Sequence, residues 1–574
     1  MVTGTAEPIP LEEIDRSVAV LPVAGEAPLA GALVDFLRLA PALDVRARAA
    51  NGVQTDVSIR GGSFGQTLVL LNGQRLNDAQ TGHFNMDIPM PLEAVDRVEV
   101  LRGSGSTLYG SDAAGGVVNV ITRRPEATEV RLSAAAGNFG VNEQRVSLNV
   151  ALGRFAQQLD FSRDLSSGFR PDRDYRNLSL SSASYWQSAL GGSSLVLAYS
   201  DRPYGADQFY GNFNSWEDTK TWFASIAQDL GSRTQAALTF RRHSDWFVLW
   251  RDRPAAYNNH HVDESCQGSI RRAEPLAANT SLHYGIEGYG DSVDSTNLGQ
   301  HDRGRAAAYV SLDARALRRF SFSAGLREEV YRWGWGELSP TIAAGVWLSE
   351  SWKLRASASR AFRIPTYTDL YYRDPANFGS PDLKPETAWS YEAGVDWRRG
   401  NRLRLSAAVF QRRESNGIDY VRHTTADPWQ AVNFASLRFT GVETSAAIVP
   451  ARGQEITVSY EGLSGARAAL GDLLSKYVFN YPSQSGVVAW QGGYRKWFGR
   501  ARLGVLNRRA RPAYAIVDAS VSYTGGWLHP FLRLTNLSDT RYEEIAGVVM
   551  PGRALVAGLE LVLKPGTVHS FPHF

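Results

Sequence analysis

The sequence predicts an all-β chain: a large antiparallel barrel that crosses a membrane on its strands, preceded by a small α+β domain. Three observations carry the prediction. Apolar and polar residues alternate with period two again and again between about residue 128 and residue 563. No run of about 18 apolar residues exists, so no helix is expected to span a bilayer, whereas barrel strands alternate and stay invisible to hydropathy. Aromatic residues make up 11% of the 574 positions and Gly occupies 53, which suits interface girdles and tight turns.

The composition also excludes several classes. With 61 Lys plus Arg against 58 Asp plus Glu, the net charge of +3 gives no nucleic-acid footprint. A single Cys excludes a disulfide scaffold and a Cys-ligated zinc site. A 43% share of hydrophobic residues excludes wholesale disorder. The chain opens Met1-Val2-Thr3-Gly4-Thr5, with neither the basic start nor the apolar segment of a signal peptide. A barrel must be exported, so the signal is expected to have been removed or to lie upstream.

Residues up to about 126 hold short mixed elements. Asp56 to Gly62 reads as a strand ending in a Gly pair. Thr67 to Leu76 reads as a hairpin, because Asn72-Gly73 favours a two-residue turn with positive φ. Pro91 to Val95 gives one helical turn, Arg97 to Gly103 a strand with alternate charges, Ser106 to Ser111 a short helix stopped by Gly110, and Ala113 to Thr122 a final strand. Thr122-Arg123-Arg124-Pro125 is a polar break.

The second region is strand after strand. Trp352, Leu354, Ala356 and Ala358 interleave with Lys353, Arg355, Ser357 and Ser359; Leu403, Leu405, Ala407 and Val409 interleave with Arg404, Ser406 and Ala408. Roughly 435 residues of this texture exceed one sandwich, and at roughly 20 residues per strand and connection about 22 strands fit. A multi-domain β protein and a propeller stay open on pattern alone, although no blade period of about 40–50 residues is visible. The polar stretches 201–221, 244–265, 365–388 and 420–434 read as large loops on one rim, with tight turns on the other.

No catalytic site is expected. Gly61-Gly-Ser63-Phe-Gly65 matches a nucleophile elbow, but a strand follows it where a hydrolase needs a helix. Gly103-Ser-Gly105 lacks the rest of a phosphate-loop or dinucleotide pattern. His260-His261 with Asp263 and Glu264 invites a metal reading, but adjacent residues on a strand face opposite ways, so no metal site and no cofactor are expected.

Ile59-Arg60-Gly61, Leu68 to Gly73, Asp96 to Gly103, Leu108-Tyr109-Gly110-Ser111 and Gly115-Gly116-Val-Val-Asn119 together resemble the plug of TonB-dependent outer-membrane receptors. Arg360 to Pro365, Ser380 to Glu386, Ser390 to Gly394, Asn433 with Gly441-Val-Glu443, Asn536 to Tyr542 and Pro551-Gly552-Arg553 resemble that family's barrel blocks. The resemblance implies a 22-stranded antiparallel outer-membrane β-barrel with an N-terminal α+β plug in its lumen. It implies these divisions: an N-terminal segment 1–30, a plug 31–126, a barrel 127–563 and a tail 564–574. The segment Tyr109 to Val120 is similar to that of vitamin B12 receptors. No signalling domain is expected before the plug.

The resemblance further implies roles. Val2, Thr3, Gly4 and Thr5 look like the end of a TonB box. Arg60 and Arg102 correspond to plug arginines that pair with barrel glutamates, here Glu392 and Glu443, with Glu386 in reserve. Asn77, Asp78, Gln80, His83, Phe84 and Asn85 correspond to a plug apex that touches ligand. Tyr210, Trp250 and Tyr257 are aromatic loop residues placed to stack on a flat ligand. The implied activity is TonB-driven import of a scarce ligand, cobalamin ahead of a ferric siderophore. Haem stays in view through His83 with His260 or His261. A passive pore or an adhesin is the rival of a different class. Implied partners are TonB, outer-membrane lipid and lipopolysaccharide, the imported small molecule, and a surface-exposed lipoprotein or other ligand-capturing protein; no nucleic acid is expected.

Overall fold

The computed structural model describes residues 11–565 apart from 318, 333, 435, 467–470 and 509–510. The stretch Val2 to Thr5 lies outside the described residues, as does the tail beyond 565. No helix among the described residues is long and apolar enough to cross a membrane. Instead 22 strands form one closed antiparallel barrel, sealed where Ala554–Leu563 pairs with Glu129–Gly137, Leu563 opposite Val130.

The alternation decides which face is wet. On the Trp352–Arg363 strand, Trp352 and Leu354 are 46% and 43% exposed, whereas Lys353 and Arg355 are each 5% exposed. Leu238, Ile270, Ile286, Val310 and Ile342 likewise point outward from their strands. An apolar outside and a polar inside reverse the order of a soluble sandwich or propeller and match a barrel in lipid. Trp352 beside Trp397 and Trp497 beside Tyr523 flank turns at one rim, as interfacial aromatics do.

Two of the expected loops are mostly wall. The six consecutive strands from Gly192 to Leu317 run 15–20 residues each, so the stretches 201–221 and 244–265 narrow to connections at 208–213 and 249–257. Their polar residues still pair across the ladder, Asp207 with Asn214 and Val248 with Asn258, because hydrogen bonding does not stop where the bilayer does. The other two stretches are true loops. One carries the helix Tyr367–Tyr371, and the other a hairpin of Gly417–Arg422 with Trp429–Phe434. With Asn377–Phe378 and Leu474–Ser475, that hairpin forms a four-stranded sheet outside the barrel.

The plug fills the lumen. Its sheet runs in the order Val18–Pro22, Val95–Arg102, Gly116–Thr122, Thr67–Leu71, Gln74–Arg75. Asn72 and Gly73, both at positive φ (52° and 79°), close the expected hairpin. Val18–Pro22 lies within the stretch 1–30 that the sequence set outside the plug; the short apolar run finds an edge on Val95–Arg102 and belongs to its sheet. A second hairpin pairs Leu43–Ala47 with Thr55–Ile59. Phe36, Ile59, Leu71, Val98, Val118 and Val120 are all 0% exposed, and each contributes roughly 1.5–3 kcal/mol by leaving water. Plug and wall touch closely: Thr107 donates to the Ser339 carbonyl at 2.9 Å, and any side chain at Gly110 (φ +79°) would strike Glu329 and Arg327.

Candidate functional site

The plug meets the wall through ions. Arg60 follows the Thr55–Ile59 strand at φ 51°, with Gly61 at φ 75°. Non-glycine residues rarely hold that conformation, and here it turns the guanidinium toward the wall. Arg60 Nε and Nη2 donate to the two oxygens of Glu443 at 2.6 and 3.0 Å, and Nη1 donates to Glu392 at 2.7 Å. Arg102 Nη1 reaches Glu443 at 2.7 Å. Glu392 also accepts from Ser17 at 2.7 Å and pairs with Arg355, neither of which the sequence singled out. Phe410 lies 4.2 Å beneath the Arg60 guanidinium. The side chains of Arg60, Glu392 and Glu443 are only 5–7% exposed. Burial disfavours the Arg60 charge, but Glu443 and Glu392 outweigh it and hold the group above its ordinary pKa. Glu386, the reserve candidate, is engaged elsewhere, with Arg363 at 2.5 Å and Gln66 at 3.0 Å.

The apex residues are mostly structural. Asn77 accepts from the Val69 amide at 2.7 Å, and Asn85 accepts from the Asp78 amide at 2.9 Å. Asp78 accepts from the amides of Gln80 and Thr81 and pairs with Arg241 of the wall at 2.8 Å. Gln80 reaches Asp245, and Phe84, 3% exposed, packs on His243. These five are buried side chains that build the apex; Asn77, Asp78 and Asn85 face a cavity of only about 20 Å³.

His83 differs. Its side chain is 18% exposed, and Asp56 accepts from its Nδ1 at 2.7 Å. Burial alone would raise the Asp56 carboxyl, but His83, Arg48 and Arg46 outweigh it and bring the group down to about 2. The imidazole stacks on Phe64 at 4.2 Å, and Tyr477 meets Phe64 edge-on at 5.2 Å. Tyr420 stands perpendicular to Tyr477, and Lys476 Nζ lies 5.2–5.8 Å from the rings of Tyr477, Tyr420 and Trp429. Phe64 and His83 come from the plug, and the others from two outer loops, so plug and loops build one aromatic cluster with Lys476 beside it, donating to Asn377 at 2.8 Å. Asp419 ties those loops together, accepting from the amides of Tyr477 and Val478 at 3.0 and 3.1 Å and from Ser475. Sequence reading named His83 alone of this group; the signal it passed over was the Tyr420, Trp429, Lys476, Tyr477 set within two loops.

Tyr210 and Tyr257 are linked through Phe247, and Trp250 stands apart from them. Tyr210 is 37% exposed, donates to Glu217 at 2.8 Å, and meets Phe247 edge-on at 5.2 Å. Trp250 packs against Phe213 and Arg253, and Tyr257 lies 6.4 Å from Phe247. His260 and His261 face opposite ways, His260 exposed and His261 3% exposed on Ser295.

The chain matches the TonB-dependent receptor-like β-barrel family over residues 107–538 and the TonB-dependent receptor plug domain over residues 12–117. It is 24% identical over 554 residues to the vitamin B12 transporter BtuB of Photobacterium profundum, covering 89% of this chain and 87% of that one. It is 27% identical over 553 residues to the iron-regulated outer membrane virulence protein of Vibrio cholerae, covering 86% and 83%. In fold it is similar to the siderophore receptor PirA of Acinetobacter baumannii, with a TM-score of 0.79 over 95% of this chain and 98% of that one, at 15% identity. A closed 22-strand barrel, a plug seated in its lumen and both family matches lead to one conclusion: the chain belongs to the TonB-dependent receptors of the outer membrane, a family of transporters and receptors, not enzymes.

Proposed function

We propose that this receptor takes up a metal chelate too large for general pores, cobalamin ahead of a ferric siderophore, and that TonB drives its release into the periplasm. One observation carries the reading: plug and outer loops share the aromatic cluster of Phe64, His83, Tyr420 and Tyr477, so a ligand resting on it touches the element that must move. Flat aromatic faces suit a macrocycle, and polar groups around them fix its orientation. The kinship with B12 transporters supports cobalamin. Arg60, Arg102, Glu392 and Glu443 act in this reading as the lock that holds the plug until TonB pulls, with Val2 to Thr5 the end of the segment that TonB grips by strand addition. Lipopolysaccharide around the wall and a surface lipoprotein that hands over ligand remain part of the same reading.

The cation beside this cluster favours a second reading. Lys476 beside three aromatic rings suits an anionic iron chelate better than a nearly neutral corrin. Titration of the purified receptor with cyanocobalamin, a ferric catecholate and haemin separates them. Cobalamin affinity that falls at least ~10-fold in Tyr477→Ala is the expected result. Tight binding of the ferric chelate alone, lost in Lys476→Ala, reverses the order, and haemin binding lost in His83→Ala replaces both.

A further inference from the structure

A second buried cluster joins plug and wall, away from Arg60. His243 on the Thr234–Val248 strand and Asp263 on the Asn258–Ala277 strand are cross-strand partners on the lumen face. Asp78 of the plug apex faces both. His243 Nδ1 lies 2.9 Å from Asp78 Oδ2 and 3.4 Å from Asp263 Oδ1, and the three side chains are 0–1% exposed. One donor atom from each fits within 4.8 Å of the others. Donors spaced by ~3–3.5 Å are what an ion held at ~2.0–2.2 Å from each requires.

The hydrogen bonding leaves an imidazole nitrogen and a carboxylate oxygen open beside each other. Despite these distances, neither nitrogen of His243 makes a hydrogen bond, and Asp263 Oδ1 has no hydrogen-bond partner. The contacts therefore lie off the imidazole N–H axis. Buried polar atoms are almost always satisfied, so an imidazole nitrogen and a carboxylate oxygen left open side by side need an explanation. The other atoms are already occupied. Asp263 Oδ2 takes Arg241 at 2.6 Å, Asp78 Oδ1 accepts from two backbone amides, and Asp78 Oδ2, the oxygen nearest His243, also accepts from Arg241 at 2.8 Å, which leaves it one further lone pair. Asp87 Oδ2, held by Thr219 at 2.7 Å, stands 3.7 Å from His243 Nε2. Metal-ligating imidazoles place an outer-shell carboxylate behind the far nitrogen; Asp87 occupies that direction but stands beyond hydrogen-bond reach. With His243 neutral, the carboxylates of Asp78, Asp263 and Asp87 against Arg241 and Arg202 leave one negative charge, which a divalent cation complements.

We propose that Asp78, His243 and Asp263 bind a borderline divalent cation such as Zn²⁺, which fastens the plug apex to the wall. Two carboxylate oxygens and one imidazole nitrogen suit Zn²⁺ or Mn²⁺ better than Mg²⁺ or Ca²⁺, which prefer oxygen alone. The site needs both plug and wall, so it exists only while the apex is docked. The inference does not depend on which ligand the receptor imports.

The test uses the full receptor extracted in detergent, stripped with a chelator, then titrated with Zn²⁺ and with Co²⁺ as a spectroscopic probe. One equivalent is expected to bind, with a Co²⁺ ligand-field band and an upward shift of ~5 °C or more in thermal unfolding. His243→Gln and Asp263→Asn should weaken binding ~100-fold or more while the barrel still migrates faster unboiled than boiled. A wild-type receptor with no Co²⁺ band and no retained Zn²⁺ overturns the proposal and leaves His243 a protonated bridge between carboxylates. A band that persists in both variants overturns it too. The wild-type spectrum decides alone if a variant fails to assemble.

Discussion

On one side of the lumen the plug is held by charge against charge; on the other, bonds from wall arginines to plug carbonyls stand beside the ion pairs. On the first side Arg60 and Arg102 meet Glu443 and Glu392, and Phe410, Phe439, Val421 and Val478 close over the junction as one apolar cluster. On the second, wall arginines reach plug carbonyls: Arg500 to Leu29 at 3.0 Å, Arg502 to Arg38 at 2.9 Å, Arg145 to Gly31 at 3.1 Å, and Arg533 to Ala30. Arg533 has its counter-ion within the wall, Glu143 at 2.5 Å. Charge pairs do cross here, Arg38 with Glu544 and Arg508 with Asp44 at the outer end, and Arg500 with Glu26 at 3.4 Å. A cavity of about 220 Å³ separates plug from wall on this side, bounded by Gly31, Asp35, Ala50, Arg502 and Tyr514. The difference teaches where the plug can yield. Breaking a pair on the first side strands a buried ion, whereas breaking one of the carbonyl bonds on the second leaves a carbonyl that water in the cavity can reach.

Glu443→Ala gives the largest expected effect. It removes the bidentate partner of Arg60 and the partner of Arg102 together; Arg60 keeps Glu392, so the cost falls toward the lower end of the about 3–5 kcal/mol that stranding a buried charge brings. Urea unfolding followed by a probe on the plug should show that loss, with leak of small antibiotics into cells that carry the variant. A cost under ~1 kcal/mol would mean that the junction is wet, and the contrast between the two sides would collapse.

Acidity should sharpen the contrast, because the loops over the first side carry Asp419. Burial raises this carboxyl to about 6 against the hydrogen bonds it accepts, so the loop arrangement binds the proton more tightly than the released loops do. The sign follows. The extra stability is fully present below about pH 4, the ordinary carboxylate range, and is lost as pH rises through 6. The full step is at most ~3 kcal/mol. Protease protection of the 416–436 loop should therefore fall between pH 4 and 7, and Asp419→Asn should remove the dependence. A pH profile that is flat in the wild type would show Asp419 ionised throughout.

Much of this molecule is legible in its sequence, and the reason is periodicity. A strand with lipid on one side and water or plug on the other must alternate, so Trp352 to Ser359 states its own orientation. The plug hairpin is legible because Asn72-Gly73 needs positive φ, which few other pairs supply. Partnerships across the lumen are not legible from pattern. Arg500, Arg502 and Arg533 alternate like any inward charges, and nothing in the pattern separates one that faces water from one that grips a carbonyl. His243 and Asp263 come together through strand register, twenty residues of chain apart, while the eye is drawn to the neighbouring His260-His261. The tall wall from Gly192 to Leu317 was hidden because its outer half is polar on both faces and reads as loop.

Arg500→Ala tests the comparison from its weaker side. Arg500 is 8% exposed, donates to the Leu29 carbonyl at 3.0 Å, approaches Glu26 at 3.4 Å and lies 4.8 Å over the Phe36 ring. Truncation removes one charge-assisted hydrogen bond and a cation–π contact, and leaves the carbonyl beside a cavity large enough for water. The expected cost is about 1–2 kcal/mol, below that of Glu443→Ala. The two sites share no partner, so their effects should add within about 0.5 kcal/mol in the double variant. A loss equal to that of Glu443→Ala would make both sides equally strong. A double variant costing far less than the sum would mean that the plug is released as a whole once either side opens, with no preferred side at all.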